Sequence, residues 1–337
     1  MDTNEATLDE GFAHHRAGRL KEAHEVYKKV VTQEPENAAA HYLLGTLYLQ
    51  AGNIEPAVDL LTKAASIDGD NLEYRCNLGV ALLQAGRRDE GIARLQQTLD
   101  DQPYHILAHT NLAHACSENG DLDQAETHLK AVIRVDSRNA RAHGNLGVIM
   151  SKKGAYDKAI ESLRRALDLQ PGDPDVQINL GNTFLEMGDF DAAISRYERL
   201  LEQGPRSALA RYHLGIAYKR KGNPDEAIEQ FQQATEIKPD YSDARINLVS
   251  LYIQVDRMVE AEAAAREGVR QTPEYAPAHV ALATVLLEQG QAEAALEALD
   301  SAIGIDPGVE RVDHFRAEAL KALGRGEAGA GKPADPD

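Results

Sequence analysis

Aromatic residues are scarce in this sequence. Tryptophan is absent and all aromatic residues together make up 5% of the 337 residues, whereas apolar residues of every kind make up 43%. A folded core of this composition has to be built from aliphatic side chains. We therefore expect a core made mainly of leucine, alanine and isoleucine.

Cysteine and long apolar runs are also missing. Cys76 and Cys116 are the only cysteines, which is too few for a disulfide framework and favours a reducing compartment. No apolar run is as long as a membrane span, and the acidic first ten residues lack the apolar core of a secretory signal. We therefore expect a cytoplasmic protein that does not insert into membranes.

Positive charge is in deficit. The 36 lysines and arginines are outnumbered by 54 aspartates and glutamates, so the formal net charge at pH 7 is −18. A field of this sign keeps a chain soluble and repels nucleic acids and anionic membranes. Neither is expected as a partner.

Known catalytic and cofactor motifs are lacking as well. No H-E-x-x-H, no C-x-x-C pair and no nucleophile elbow occurs. Residues 326–332 spell G-x-x-x-x-G-K, but Pro333 stands where a phosphate-binding loop needs serine or threonine. Four histidines recur at one position of a repeat described below, which favours a structural role: His41, His109, His143 and His279. We expect no catalytic residue, no cofactor and no metal site.

What the sequence does contain is a repeated helix hairpin. Between Ala140 and Asp173, apolar residues follow helical spacing in two runs that are separated by Gly154 and closed by Pro171. Steps of 34 residues from Ala140 give nine such units without insertion or deletion. They span residues 4–37, 38–71, 72–105, 106–139, 140–173, 174–207, 208–241, 242–275 and 276–309.

The hairpin glycine recurs in every unit except the eighth, where Asp256 replaces it. Aspartate tolerates the left-handed backbone that the end of a helix needs. After the last unit, residues 310–323 have one apolar face and predict a C-terminal capping helix. Residues 324–337 are rich in glycine, alanine and proline and predict a disordered tail.

The repeat resembles the tetratricopeptide family, whose 34-residue signature the seventh unit shows best. Its residues at the signature positions are Arg211, Leu214, Gly215, Tyr218, Ala227, Phe231 and Pro239. The signature tryptophan is replaced throughout, usually by histidine, arginine or glutamine. The resemblance implies an all-α, right-handed superhelical solenoid whose first helices line a concave face, with a protein as its partner.

An asparagine recurs at the sixth residue of the units, although asparagine is a mediocre residue for a helix interior. The positions are Asn77, Asn111, Asn145, Asn179 and Asn247, with His213 in the one gap. They resemble the asparagine ladder in the repeat arm of O-linked N-acetylglucosamine transferases, and similar repeats occur in bacterial tetratricopeptide proteins. A primary amide both donates and accepts, so such a ladder suits a peptide backbone. The other interpretation, an ordinary consensus residue, stays open.

The fifth, ninth and twelfth residues of the units face inward in this family and are often apolar here. The candidate groove residues at these positions include Tyr212, Ile178, Ile216 and Ile246, together with Cys76, Val80, Leu83, Leu185 and Ile253. Exposed apolar residues in such number typically mark a binding surface. The set of lysine, asparagine and arginine residues with which chaperone-binding members grip a C-terminal carboxylate occurs in no three consecutive units.

Together these features predict a non-enzymatic scaffold or adaptor that binds an extended segment of a partner protein in a concave groove. Two alternatives remain open. The chain could be a regulatory or substrate-presenting arm for a separately encoded glycosyltransferase or sulfotransferase, or it could be a self-assembling structural scaffold. The sequence does not decide whether the protein forms homo-oligomers.

Overall fold

The computed structural model describes residues 3–325. The G-x-x-x-x-G-K motif at 326–332 lies outside the described residues, as does the predicted tail except for Gly324 and Arg325. Every regular element in residues 3–325 is an α-helix, so the predicted all-α class is confirmed.

Nineteen helices follow one another along the described chain. They are α1 (Thr3–Arg16), α2 (Leu20–Gln33), α3 (Ala38–Gln50), α4 (Ile54–Ile67), α5 (Leu72–Gln84), α6 (Arg88–Asp101), α7 (Ile106–Glu118), α8 (Leu122–Val135), α9 (Ala140–Lys152), α10 (Tyr156–Leu169), α11 (Pro174–Met187), α12 (Phe190–Gln203), α13 (Ala208–Lys221), α14 (Pro224–Ile237), α15 (Ser242–Gln254), α16 (Met258–Gln271), α17 (Ala276–Glu288), α18 (Ala292–Ile305) and α19 (Val312–Ala322).

The helices pack as antiparallel pairs, each joined by a tight turn. Gly154, between α9 and α10, has φ +73° and no atom within 4 Å of where a Cβ would lie, so its backbone conformation rather than crowding explains the glycine. Asp256 takes the same left-handed conformation between α15 and α16 with φ +59°. The prediction that aspartate replaces the turn glycine there is confirmed.

Within a pair, the two helices approach closely at a glycine of the first helix. A Cβ added to Gly147 of α9 would lie 2.5 Å from Leu163 Cγ and 3.1 Å from the carbonyl oxygen of Ala159, both on α10. The small residue on the second helix and the absent side chain on the first therefore permit this contact.

Successive pairs are joined by a turn that the fourth residue of the next pair holds in place. The ring of His109 bonds through Nε2 to the carbonyl oxygen of Pro103 at 3.0 Å, and Arg245 Nη2 donates to Pro239 O at 2.9 Å. Contacts of the same kind join His41 to Pro35, Arg75 to Gly69, His143 to Ser137, Arg211 to Pro205 and His279 to Pro273. Histidine and arginine thus stand in the tryptophan position as donors to the turn.

The described chain forms two compact units, residues 3–173 with α1 to α10 and residues 174–325 with α11 to α19. In the N-terminal unit, Leu95 and Leu112 are among the most deeply buried side chains, and in the C-terminal unit Phe231 and Leu299. The predicted capping helix is α19, which buries Val312, Phe315 and Ala319.

Candidate functional site

An open cavity of about 810 Å³ lies on the first helices of the N-terminal unit, and we call it the N-terminal groove. Side chains from α5, α7, α9 and the turn before α7 line it, including Asn77, Thr110 and Asn145. Tyr104 and Leu107 also line it, and they keep 56% and 44% of their surface exposed. The cavity therefore combines amide groups with large apolar side chains that are about half exposed, although the guanidinium of Arg134 lies 5.0 Å from the centroid of the Tyr104 ring.

Two ladder asparagines of this unit are held by their own helices. Asn77 Nδ2 donates to Glu73 O at 2.9 Å and to Tyr42 Oη at 3.3 Å, and Asn111 Nδ2 donates to Leu107 O at 2.8 Å. Bonds of this kind to the preceding turn fix the amide and leave its carbonyl oxygen as the free end. Asn77 can therefore offer an acceptor to a ligand in the groove.

A second open cavity, of about 690 Å³, lies in the C-terminal unit, and we call it the C-terminal groove. Residues of α13, α15, α17 and α19 and the turn before α19 line it. Ile246, Ile253 and Val280 supply half-buried aliphatic surface, and Asn247 is fixed by donating from Nδ2 to Asp243 O at 2.9 Å. Both grooves thus place an amide beside apolar side chains on the first helices.

Models of the tetratricopeptide repeat match this chain over most of its length. The matched residues are 14–78 and 218–284, 110–174 and 178–242, and 72–97 and 276–301. The chain belongs to the tetratricopeptide repeat family. The predicted family and the predicted solenoid of helix pairs are thereby confirmed, and the fold is of the scaffold type that binds other proteins.

Two solved structures show the same tetratricopeptide fold at low sequence identity. A tetratricopeptide repeat protein from Parabacteroides merdae ATCC 43184 is 18% identical with a TM-score of 0.60, and the match covers 75% of this chain and all of that one. A chain in the structure of the APC/C hetero-tetramer Cut9-Hcn1 is 17% identical with a TM-score of 0.51, and the match covers 89% of this chain and 59% of that one. No curated protein matches this chain in sequence.

The remaining ladder residues of this tetratricopeptide protein do not all line the two grooves. Asn111 and Asn179 are half-buried but line neither. His213 stacks on the ring of Tyr197, with centroids 5.7 Å apart and planes 20° apart. Burial lowers the pKa of His213 to about 4. The ring is therefore a neutral packing group, unlike the asparagines that occupy its position in other repeats.

Of the predicted apolar groove residues, Ile246 lines the C-terminal groove, and Tyr212 and Ile216 do not. Tyr212 is half-buried, with its ring centroid 5.1 Å from that of Tyr241 and 5.8 Å from that of Phe231. Burial raises the pKa of Tyr212. Its ring and Ile216 pack against the core of the C-terminal unit.

Two expectations of exposure are wrong. Ile178 keeps only 7% of its surface exposed because it packs in one cluster with Leu185 and Tyr197. Cys76 is at the wall of the N-terminal groove, but it is fully buried among Leu95, Ala108 and Leu112 and offers a ligand no exposed surface.

The histidines at the fourth position contact turns rather than one another. His109 also has its Nδ1 2.9 Å from Nδ1 of His128, a histidine on the paired helix that does not occupy the fourth position. Burial and the neighbouring His109 lower the pKa of His128. Among residues 3–325, no three or more histidine, cysteine, aspartate or glutamate side chains are grouped as a metal site would need. Across the same residues, no helix combines the length and apolarity that a membrane span requires.

Sequence reasoning missed many of the residues that line the grooves, among them Tyr104, Leu107 and Lys219. Tyr104 and Leu107 lie in the turn and first helical turn, outside the fifth, ninth and twelfth positions that the family pattern pointed to. Lys219 lines the C-terminal groove from the twelfth position of its repeat. Its twelfth position was a usable signal, but positive charge in the last turn of a helix is also what the helix dipole favours, so the sequence alone does not single out Lys219.

Proposed function

We propose that this tetratricopeptide repeat protein is a non-enzymatic scaffold that binds an extended segment of a partner protein on its first helices. The observation that supports this most strongly is the N-terminal groove, where exposed Tyr104 and Leu107 lie beside Asn77 and Asn145. A compact protein rarely leaves large apolar side chains uncovered in a concave surface unless a partner covers them.

The chemistry of the groove suits a backbone rather than a particular side chain. An extended segment presents N–H and C=O groups that need partners once water is excluded. The carbonyl oxygen of Asn77 is available to accept from such an N–H, since the two hydrogens of its amide already have partners. Apolar contacts with Tyr104 and Leu107 would supply affinity, and the amides would fix the register of the segment.

Selection from a displayed library of random 12-residue peptides tests this proposal. We expect enriched peptides that bind the wild-type chain, and we expect Leu107→Glu to weaken their binding at least about tenfold. The reason is that a buried carboxylate without a partner opposes the apolar contact. Val135→Glu is the matched control, because Val135 is 45% exposed on the same unit but lines neither groove.

Two results would contradict the proposal. One is the absence of any enriched peptide for the folded wild-type chain. The other is binding that Val135→Glu weakens as much as Leu107→Glu does, since this would place the contact away from the groove.

A further inference from the structure

The last turn of α13 carries three consecutive cations, of which only two have a carboxylate partner. Arg220 Nη1 lies 2.9 Å from Glu186 Oε1, and Lys221 Nζ lies 2.6 Å from Asp191 Oδ1. No carboxylate among the described residues forms an ion pair with Lys219. Lysines without an ion pair are common among the described residues, but the others are exposed, whereas Lys219 is half-buried.

Lys219 lies inside the C-terminal groove rather than on the open surface. It is half-buried there, and Nζ donates to Asn247 Oδ1 at 2.9 Å. Burial lowers the pKa of Lys219. An ammonium group in such a place has lost part of its hydration, and one amide oxygen does not replace a counter-ion. A carboxylate that entered the groove would supply the missing partner.

The other residues that line the groove indicate on which side of it a ligand carboxylate would bind. Ile246, Ile253 and Val280 form aliphatic surface next to Lys219. The turn between α18 and α19 contributes exposed Asp306 and Glu310 and one cation, Arg311, whose guanidinium lies 4.7 Å from the centroid of the Phe315 ring. The two carboxylates outnumber this cation, so that side would repel an acidic group. A carboxylate is therefore favoured at the α13 side of the groove, beside Lys219.

We propose that the C-terminal groove selects a partner segment in which an aspartate or glutamate stands next to an aliphatic residue. The side-chain carboxylate accepts from Lys219 Nζ, and the aliphatic side chain enters between Ile246, Ile253 and Val280. This inference rests on the segment-binding role proposed above and specifies its partner chemistry.

A randomised 12-residue peptide library with amidated C-termini tests this pairing on the full chain. The library is incubated separately with the wild-type chain, the Lys219→Met variant and the Lys221→Met variant. The peptides that each chain retains are sequenced, and the enriched residue types are compared. We expect wild type to enrich acidic residues beside aliphatic ones. Lys219→Met should lose the acidic preference and bind the selected peptides about 10- to 100-fold more weakly, the usual range for a charge-assisted hydrogen bond. Lys221→Met removes a neighbouring cation that does not line the groove, and it should behave as wild type.

The outcomes separate this inference from the proposed function. Enrichment of aliphatic residues without acidic ones would overturn the inference and leave segment binding standing. No enrichment at all would overturn both. Binding only by a parallel library with free C-terminal carboxylates would show that the groove takes a chain end, which would also overturn the inference.

If Lys219→Met folds poorly, the charge-reversal variant Lys219→Glu still tests the proposal. Lys219→Glu should enrich lysine or arginine at the place where wild type enriches aspartate or glutamate. Thermal unfolding without ligand provides an independent reading: Lys219→Met should unfold at the same temperature as wild type or higher, because it removes a half-buried charge without a counter-ion. A Lys219→Met or Lys219→Glu variant that binds acidic peptides as tightly as wild type would refute the role of Lys219.

Discussion

At the scale of single residues, the fourth position of the repeat shows what periodicity can and cannot predict. Its recurrence marks His41, His109, His143 and His279 as structural, yet the sequence does not say what they contact. The structure shows that their rings bond to the carbonyl oxygen six residues earlier, in the turn that ends the preceding repeat. Arginine does the same elsewhere because it too is a donor long enough to reach that oxygen.

His213 predicts a loss of stability in acid. Burial holds its folded pKa at about 4, below the ordinary value of 6.5, so the unfolded chain binds the proton more readily. Stability from the neutral ring is fully present above pH 6.5 and is lost as the pH falls towards 4. The loss amounts to at most about 3.5 kcal/mol at about 1.4 kcal/mol per pKa unit.

Urea unfolding at pH 7 and pH 4.5 measures this effect. His213→Phe keeps an aromatic ring to stack on Tyr197 and should shrink the difference in unfolding free energy between the two pH values. His114→Gln changes an exposed histidine on α7 and serves as the control. An unchanged difference in His213→Phe would show that other groups cause the acid loss.

Both cysteines should react slowly with a thiol reagent. An exposed position for Cys76 in the groove would make Cys76 react first, whereas its burial predicts that Cys116 reacts first. Cys76 is fully buried and its pKa is raised by burial to about 11, whereas Cys116 keeps 7% of its surface exposed. Since the thiolate is the reactive form, a thiol reagent should modify Cys116 first and Cys76 only on unfolding. Mass spectrometry of peptides at timed intervals gives the order, and faster modification of Cys76 in the native chain would contradict the burial seen here.

At the scale of helices, the sequence predicts nearly all positions of the turns and helix ends, but it predicts little about which side chains are exposed. Turn glycines, small packing residues and helix-ending prolines depend on the local backbone, so a 34-residue period locates them. Exposure at the fifth position depends partly on neighbouring repeats: Cys76 is covered by Ala108 and Leu112 of the next repeat as well as by Leu95 of its own, while Ile246 is only half-buried. A side chain's cover comes partly from residues distant in sequence, which one repeat examined alone does not specify.

Close helix packing predicts opposite effects for alanine at two glycines. Gly147→Ala would place a Cβ 2.5 Å from Leu163 Cγ, and such overpacking costs about 1–3 kcal/mol. Gly304→Ala, in the last turn of α18, meets no atom within 4 Å and should stabilise by up to about 1 kcal/mol through helix propensity. Chemical denaturation of both variants gives the two free energies; equal and small effects would mean that the α9–α10 contact relaxes freely.

At the scale of the whole chain, helices pack mainly on their neighbours in sequence, as expected for repeats that each bury one face of the next. Such a framework leaves the face of the first helices that points away from the second helices without a packing role of its own. In both units that face carries an open groove with an asparagine amide beside apolar side chains. This recurrence, rather than any single residue, underlies the proposal of a scaffold that binds extended segments.

The affinity of a peptide selected on the N-terminal groove tests that proposal most directly. We expect Asn77→Ala combined with Asn145→Ala to leave thermal stability unchanged or slightly higher, because alanine is the better helix former. Affinity should fall about 10- to 100-fold, since each backbone group left unpaired in the groove costs about 1–3 kcal/mol. Asn53→Ala, an exposed asparagine in the turn before α4, should bind as wild type. A double variant that unfolds more readily than wild type and yet binds the peptide with full affinity would show that these asparagines are structural and contradict the account.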